Sequence, residues 1–165
     1  MEYKQDFNAK LMDSAQSGNI EETRKALRQG ADANWRDKHD RTALMYAAEH
    51  GHTQVVKELL KNGADSRLKD KYFGRTALMF AMRSGDLEMV KELLDSGAEV
   101  NSQDNGFTTA LMLAVYYGRD NVVQLLLNNG ANVRLEDENN RIALDMARYY
   151  KYDKIMAILQ EATTK

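Results

Sequence analysis

Histidines, acidic pairs and arginines are the residues here from which a reaction could be built, and their spacing decides whether one is. The histidines are His39, His50 and His52. Zinc-binding histidines of the HExxH type lie four apart so that both face one side of a helix. His50 and His52 lie two apart and share no such face. Cysteine is absent, which removes disulfides, thiolate metal sites and a thiol nucleophile together. The pair Glu21–Glu22 reads as solvated helix-face charge rather than a general acid and base. Lys57–Glu58 and Lys91–Glu92 recur in equivalent contexts and read the same way. No glycine-rich run of phosphate-binding form is present. The expectation is therefore no catalytic residue, no metal and no cofactor. What remains is the chemistry of recognition: aromatic rings and arginines, the types enriched where protein interfaces hold most of their binding energy.

The elements that position those residues come from a repeat. Arg41 to Asp65, RTALMYAAEHGHTQVVKELLKNGAD, returns as Arg75 to Glu99 and again as Thr108 to Asn132. Thr42, Thr76 and Thr109 each precede a glycine by 21 residues, at Gly63, Gly97 and Gly130. Extending the frame puts Ala9 and Ile142 in the threonine slot, with spacings of 33, 34, 33 and 33. The one extra residue lies within Lys69 to Gly74. Five units are expected, at about 1–36, 37–69, 70–103, 104–136 and 137–165, within a single domain spanning 1–165.

Each unit reads as two helices. Leu44, Ala47, Ala48 and Gly51 follow one helical spacing, and Val55, Val56, Leu59 and Leu60 follow a second. The threonine is placed to cap the first helix. Gly18, Gly51, Gly85 and Gly118 separate the helices, and Gly30, Gly63, Gly97 and Gly130 stand where a left-handed cap is expected. Gly74 and Gly106 are assigned to tight turns in polar connectors that carry an aspartate near their start. The ends read as caps. Glu22 and Thr23 replace an apolar pair, giving the first unit a polar outer face, while Lys151 replaces a glycine and Gln160 a leucine. The array is expected to be complete at five units.

These units resemble the ankyrin repeat, whose form is Gly-x-Thr-Pro-Leu-His-x-Ala-Ala, Gly, Val-Val-x-x-Leu-Leu, Gly-Ala-x-x-Asn. The resemblance covers essentially the whole chain and implies an all-α solenoid of helix-turn-helix units joined by hairpin-like connectors. The family's proline is Ala43, Ala77 and Ala110 here, and its histidine is Met45, Met79 and Met112. The threonine–histidine relay cannot form, and packed methionines are expected to replace it. The Thr-Ala-Leu-Met form is similar to that of many bacterial members, which suggests a bacterial origin.

The resemblance also assigns a binding face, concave and made by connectors and one side of the first helices. Ten of the thirteen aromatic residues fall there. On connectors they are Trp35, Tyr72, Phe73 and Phe107; on first helices they are Tyr46, Phe80, Tyr116, Tyr117, Tyr149 and Tyr150. Arg41, Arg75 and Arg141 precede the threonine slot, with Lys38, His39 and Arg83 nearby. These sixteen residues are the candidate partner-binding set. A packing role stands beside the binding one. Tyr46 and Phe80 could pack between units, Tyr117 and Tyr150 could stack on each other, and Phe107 could tuck inward.

The formal net charge of −2 argues against nucleic acid, and no apolar run is long enough to span a bilayer. The N-terminus shows no signal-peptide h-region, although an exported chain whose leader was removed would read the same. The compartment is left open between cytoplasm and export. The expected function is a non-catalytic protein–protein interaction scaffold, monomeric by itself, whose protein or peptide partner carries apolar and acidic residues. The alternative is an accessory subunit or inhibitor that modulates one enzyme.

Overall fold

The computed structural model describes residues 6–164. Met1 to Gln5, on which the reading of the N-terminus partly rests, and Lys165 lie outside the described residues. Ten helices follow in sequence: α1 (Phe7–Ser17), α2 (Ile20–Arg28), α3 (Ala43–Glu49), α4 (Thr53–Lys61), α5 (Ala77–Ala81), α6 (Leu87–Asp95), α7 (Ala110–Tyr116), α8 (Asp120–Asn128), α9 (Ala143–Tyr150) and α10 (Asp153–Thr163). Each odd-numbered helix packs on the even-numbered helix after it. The odd helices also lie side by side in one row and the even helices in another. The result is an all-α solenoid of five antiparallel pairs.

The core repeats with the sequence. Leu11, Leu44, Leu78 and Leu111 occupy one slot and are fully buried, as are Leu59, Leu93, Leu126 and Leu159 in another. Met45, Met79 and Met112 are buried between pairs, where the family's histidine would stand. A buried leucine contributes about 1.5–3 kcal/mol relative to exposure, so these rows hold the stack together.

The caps explain where each first helix begins. The hydroxyls of Thr42, Thr76 and Thr109 accept from the amides of Met45, Met79 and Met112 at 3.3–3.4 Å. Ile142 has no hydroxyl, and the Asp145 carboxylate compensates by accepting from the Ile142 amide at 3.1 Å. In the first pair Asp6 caps instead, so α1 starts before the Ala9 slot.

One expectation is sharpened and another corrected. Gly106 lies in a tight turn as expected, with the Phe107 amide donating to the Asp104 carbonyl oxygen at 3.0 Å, but it does not hold the left-handed position. That slot belongs to Asp40, Gly74, Phe107 and Asn140, with φ of 57°, 67°, 57° and 57°. In the Asp104 connector the left-handed position falls one residue after the glycine. The polar outer face of the first pair is also only half right. Glu22 is exposed, but Thr23 is fully buried in the slot of Val56, Val90 and Val123. Its hydroxyl lies 3.0 Å from Ser14 Oγ and 2.9 Å from the Asn19 carbonyl oxygen, so a hydrogen-bonded threonine replaces a valine inside the pair.

The connectors form fingers organised by one aspartate each. Asp37 Oδ1 accepts from the amides of His39 and Arg41, Asp104 Oδ1 from Gly106 and Thr108, and Asp137 Oδ1 from Asn139 and Arg141. Asp70 does the same for a finger one residue longer, which places the extra residue between Asp70 and Arg75. Neighbouring fingers are tied by backbone bonds: Lys71 N–H to His39 O, Asn105 N–H to Phe73 O and Glu138 N–H to Gly106 O, at 2.8–3.0 Å.

Candidate interaction face

A cleft of about 230 Å³ opens where the Asp37 and Asp70 fingers meet α3, α5 and α7. Arg41 organises it. Its guanidinium lies between two rings, 4.1 Å from the centre of Tyr46 and 4.5 Å from that of Phe80. Its Nη2 pairs with the Glu49 carboxylate, and its Nε is buried without a hydrogen-bond partner. The Tyr46 hydroxyl donates to Asp37 Oδ2 at 2.8 Å. Burial, and then that bond, push the Tyr46 phenol up from its ordinary pKa. Burial pushes the Asp37 carboxyl the other way from its final direction. Hydrogen bonds from the Arg41 amide, the Tyr46 hydroxyl and the His39 amide outweigh it and hold Asp37 below the usual carboxylate range.

The other wall is built from the Asp70 finger. Arg75 stands over the Phe73 ring at 5.1 Å and donates from Nε to Asp104 Oδ2 at 3.1 Å, joining two fingers. His39 packs on Tyr72 with ring centres 5.0 Å apart, and its Nδ1 is buried without a partner. Tyr72 and Phe73 are 61% and 57% exposed although both line the cleft. Arg83 is exposed at the cleft and pairs with no carboxylate among the described residues.

Four further lining residues, Glu49, Asp70, Met79 and Leu113, were not in the candidate set. Glu49 meets Arg41 eight residues away, across a finger and a helix start, a separation that no helical spacing rule singles out. Asp70 was visible as the connector aspartate, though not as part of a wall.

Tyr117 also borders the cleft and leads into a run of rings. Tyr117 meets Tyr116 edge to face at 5.0 Å, Tyr116 meets Tyr150 at 5.8 Å, and Tyr150 meets Tyr149 at 5.1 Å. Tyr150 therefore packs on Tyr116 and not on Tyr117 as expected. Tyr152, outside the candidate set, backs the run by stacking on Tyr150 at 5.7 Å. Its ring also lies where a Cβ on Gly118 would reach it at 3.3 Å, so that glycine's φ of 64° and its small size are both used.

Four candidates stand apart from cleft and ladder. Trp35 is half-buried against the core, and Lys38 is exposed on its finger. Phe107 does not tuck inward: its ring is 56% exposed. Arg141 is held in its own finger, donating from Nε and Nη2 to Asp137 Oδ2 at 2.9 and 2.7 Å. The Asp137 carboxyl is pushed up by burial, but the Arg141 side chain and the amides of Arg141 and Asn139 bring it below its ordinary range. The histidines outside the cleft serve structure. His52 Nε2 lies 3.1 Å from the Gln16 carbonyl oxygen and His50 Nδ1 lies 2.9 Å from that of Tyr46. Among the described residues no three His, Cys, Asp or Glu side chains gather as a metal site would need. None of the described helices is long and apolar enough to cross a membrane.

Paired helices in two rows, joined by aspartate-organised fingers, define a helical repeat solenoid. A family model of ankyrin repeats in three copies matches residues 11–104, and one of ankyrin repeats in many copies matches residues 93–147. The chain belongs to the ankyrin repeat family, whose repeats are protein–protein interaction modules with no enzymatic role of their own. No curated protein matches the chain.

Proposed function

We propose that this protein is a non-catalytic scaffold that holds a protein or peptide partner on the concave face made by its fingers and first helices. The observation that carries the reading is the exposure of aromatic rings that the core does not use. Tyr149 is 80% exposed and Tyr116 is 50% exposed, and their ring neighbours are other tyrosines. Rings of this type bury large area with little loss of side-chain freedom when a partner covers them. The fingers are tied to one another through the backbone, so little ordering entropy is lost on binding. Apolar and acidic residues suit such a face, because its aromatic surface is interleaved with Arg41, Arg75 and Arg83. The test is affinity capture from the source lysate with the intact chain and with the Tyr116→Ala/Tyr149→Ala variant. The variant is expected to lose the captured partner while its thermal midpoint stays nearly unchanged. Retention of the partner by a folded variant would overturn the reading.

A further inference from the structure

One slot, the seventh residue after the threonine slot, carries the row Glu49, Arg83, Tyr116, Tyr149, on α3, just past α5, and on α7 and α9 in turn. These helices are successive neighbours, so the row runs straight across the face with one side chain per repeat. Packed helices lie about 8–10 Å apart, which sets the step of the row. Glu49 is occupied by Arg41. Arg83 has no carboxylate partner among the described residues, and Tyr116 and Tyr149 have exposed rings. The row thus offers one available cation followed by two aromatic platforms, one per repeat.

From this we infer, resting on the concave-face reading above, that the partner segment is an acidic polyproline II peptide. It would carry an acidic residue at Arg83 and prolines three and six residues further on, at Tyr116 and Tyr149. A polyproline II helix repeats every three residues and rises about 9.3 Å per turn, which matches one repeat of the row. A β-strand returns to the same face about every 6.6 Å and falls out of register by the second step. The row also consists of side chains rather than a free sheet edge, so it offers a strand no ladder of backbone partners. A proline carries no amide hydrogen to leave unsatisfied and presents a flat apolar ring to each tyrosine. Glu49 at the far end of the row disfavours a second acid beyond Arg83, which orders the ligand as acid first, then prolines.

The experiment uses the full chain and fluorescein-labelled peptides in an anisotropy titration. The cores are Glu-Pro-Ala-Pro-Pro-Ala-Pro and its reverse, since the row does not set chain direction. A register control inserts one Ala after Glu, which moves the prolines off the third and sixth positions, and two charge controls replace Glu by Gln or Lys. One of the two directions is expected to bind, with the register and Lys controls weaker by at least about tenfold. Arg83→Ala is expected to weaken the Glu peptide by about tenfold and leave the Gln peptide unchanged, a coupling that general damage to the fold would not produce. Equal binding of the register control, or no binding in either direction, overturns the inference. If the peptides fail while the tyrosine double variant still loses its captured partner, the concave-face reading stands and the polyproline form of the partner falls. If that variant keeps its partner, both fall.

Discussion

The cleft beside α3 and α5 and the tyrosine ladder on α7 and α9 sit on the same repeat but take their rings from different slots, the fourth after the threonine slot for Tyr46 and Phe80 and the seventh and eighth for Tyr116, Tyr117, Tyr149 and Tyr150. In the cleft, Tyr46 and Phe80 are half-buried around Arg41, which also holds Glu49. In the ladder, Tyr116 and Tyr149 meet other tyrosine rings edge to face and are 50% and 80% exposed. The difference teaches that the slot sets the depth of a side chain: the fourth slot is buried or half-buried at Tyr46, Phe80, Leu113 and Met146, while the seventh leaves Tyr116 and Tyr149 exposed. A guanidinium between two rings gains about 0.5–2 kcal/mol from each, whereas edge-to-face ring pairs gain about 0.5–1.5 kcal/mol. The cleft is thus partly a structural device with open walls. The ladder is exposed at Tyr116, Tyr117 and Tyr149 and half-buried at Tyr150.

The largest expected effect sets the scale for both regions. Leu93 is fully buried under α5, and Leu93→Ala is expected to lower unfolding free energy by about 2–5 kcal/mol in chemical denaturation. A variant as stable as the parent would mean the two rows do not share this core. Next, Arg41→Ala should cost about 1–3 kcal/mol, because it empties the ring sandwich and strands Glu49. Tyr149→Ala should stay within about 0.5 kcal/mol. Equal losses for the two would erase the contrast between cleft and ladder.

A smaller effect, of opposite sign, is expected at Phe107, on the finger between the two regions. A phenylalanine at φ 57° is strained, and its exposed ring regains little from the fold. Phe107→Gly should therefore raise stability by about 0.5–1 kcal/mol in the same denaturation assay. A loss of stability would show that the ring is anchored after all.

The smallest effect concerns acid. Asp37 in the cleft finger and Asp137 in the last finger both titrate below the ordinary aspartate value when folded. Their stabilisation is complete above the unfolded value of about 3.9 and is lost as pH falls through the depressed folded value. Denaturation midpoints should drop below about pH 4, and Asp37→Asn or Asp137→Asn should flatten that acid limb. An unchanged limb in both variants would assign acid sensitivity to other carboxylates.

Much of the fold was legible in the sequence because each of its determinants is local or periodic. The paired helices, the threonine caps and the left-handed glycines after each second helix follow from residues within a few positions of one another, and the family followed from their recurrence. The methionine packing was legible as well, since three apolar residues in one slot must meet across the repeat. Local rules failed where a residue broke its slot: Phe107 in a glycine position, Thr23 in a valine position. The site divides the same way. The resemblance, carried over slot by slot, named the cleft's rings and arginines as candidates. Only the tertiary structure decided that Arg41 joins Glu49, that Tyr150 turns to Tyr116 rather than Tyr117, and that Arg83 is left without a carboxylate among the described residues. Those outcomes depend on which side chains of adjacent pairs come within a few ångströms, and a one-dimensional period carries no information about distance across the stack.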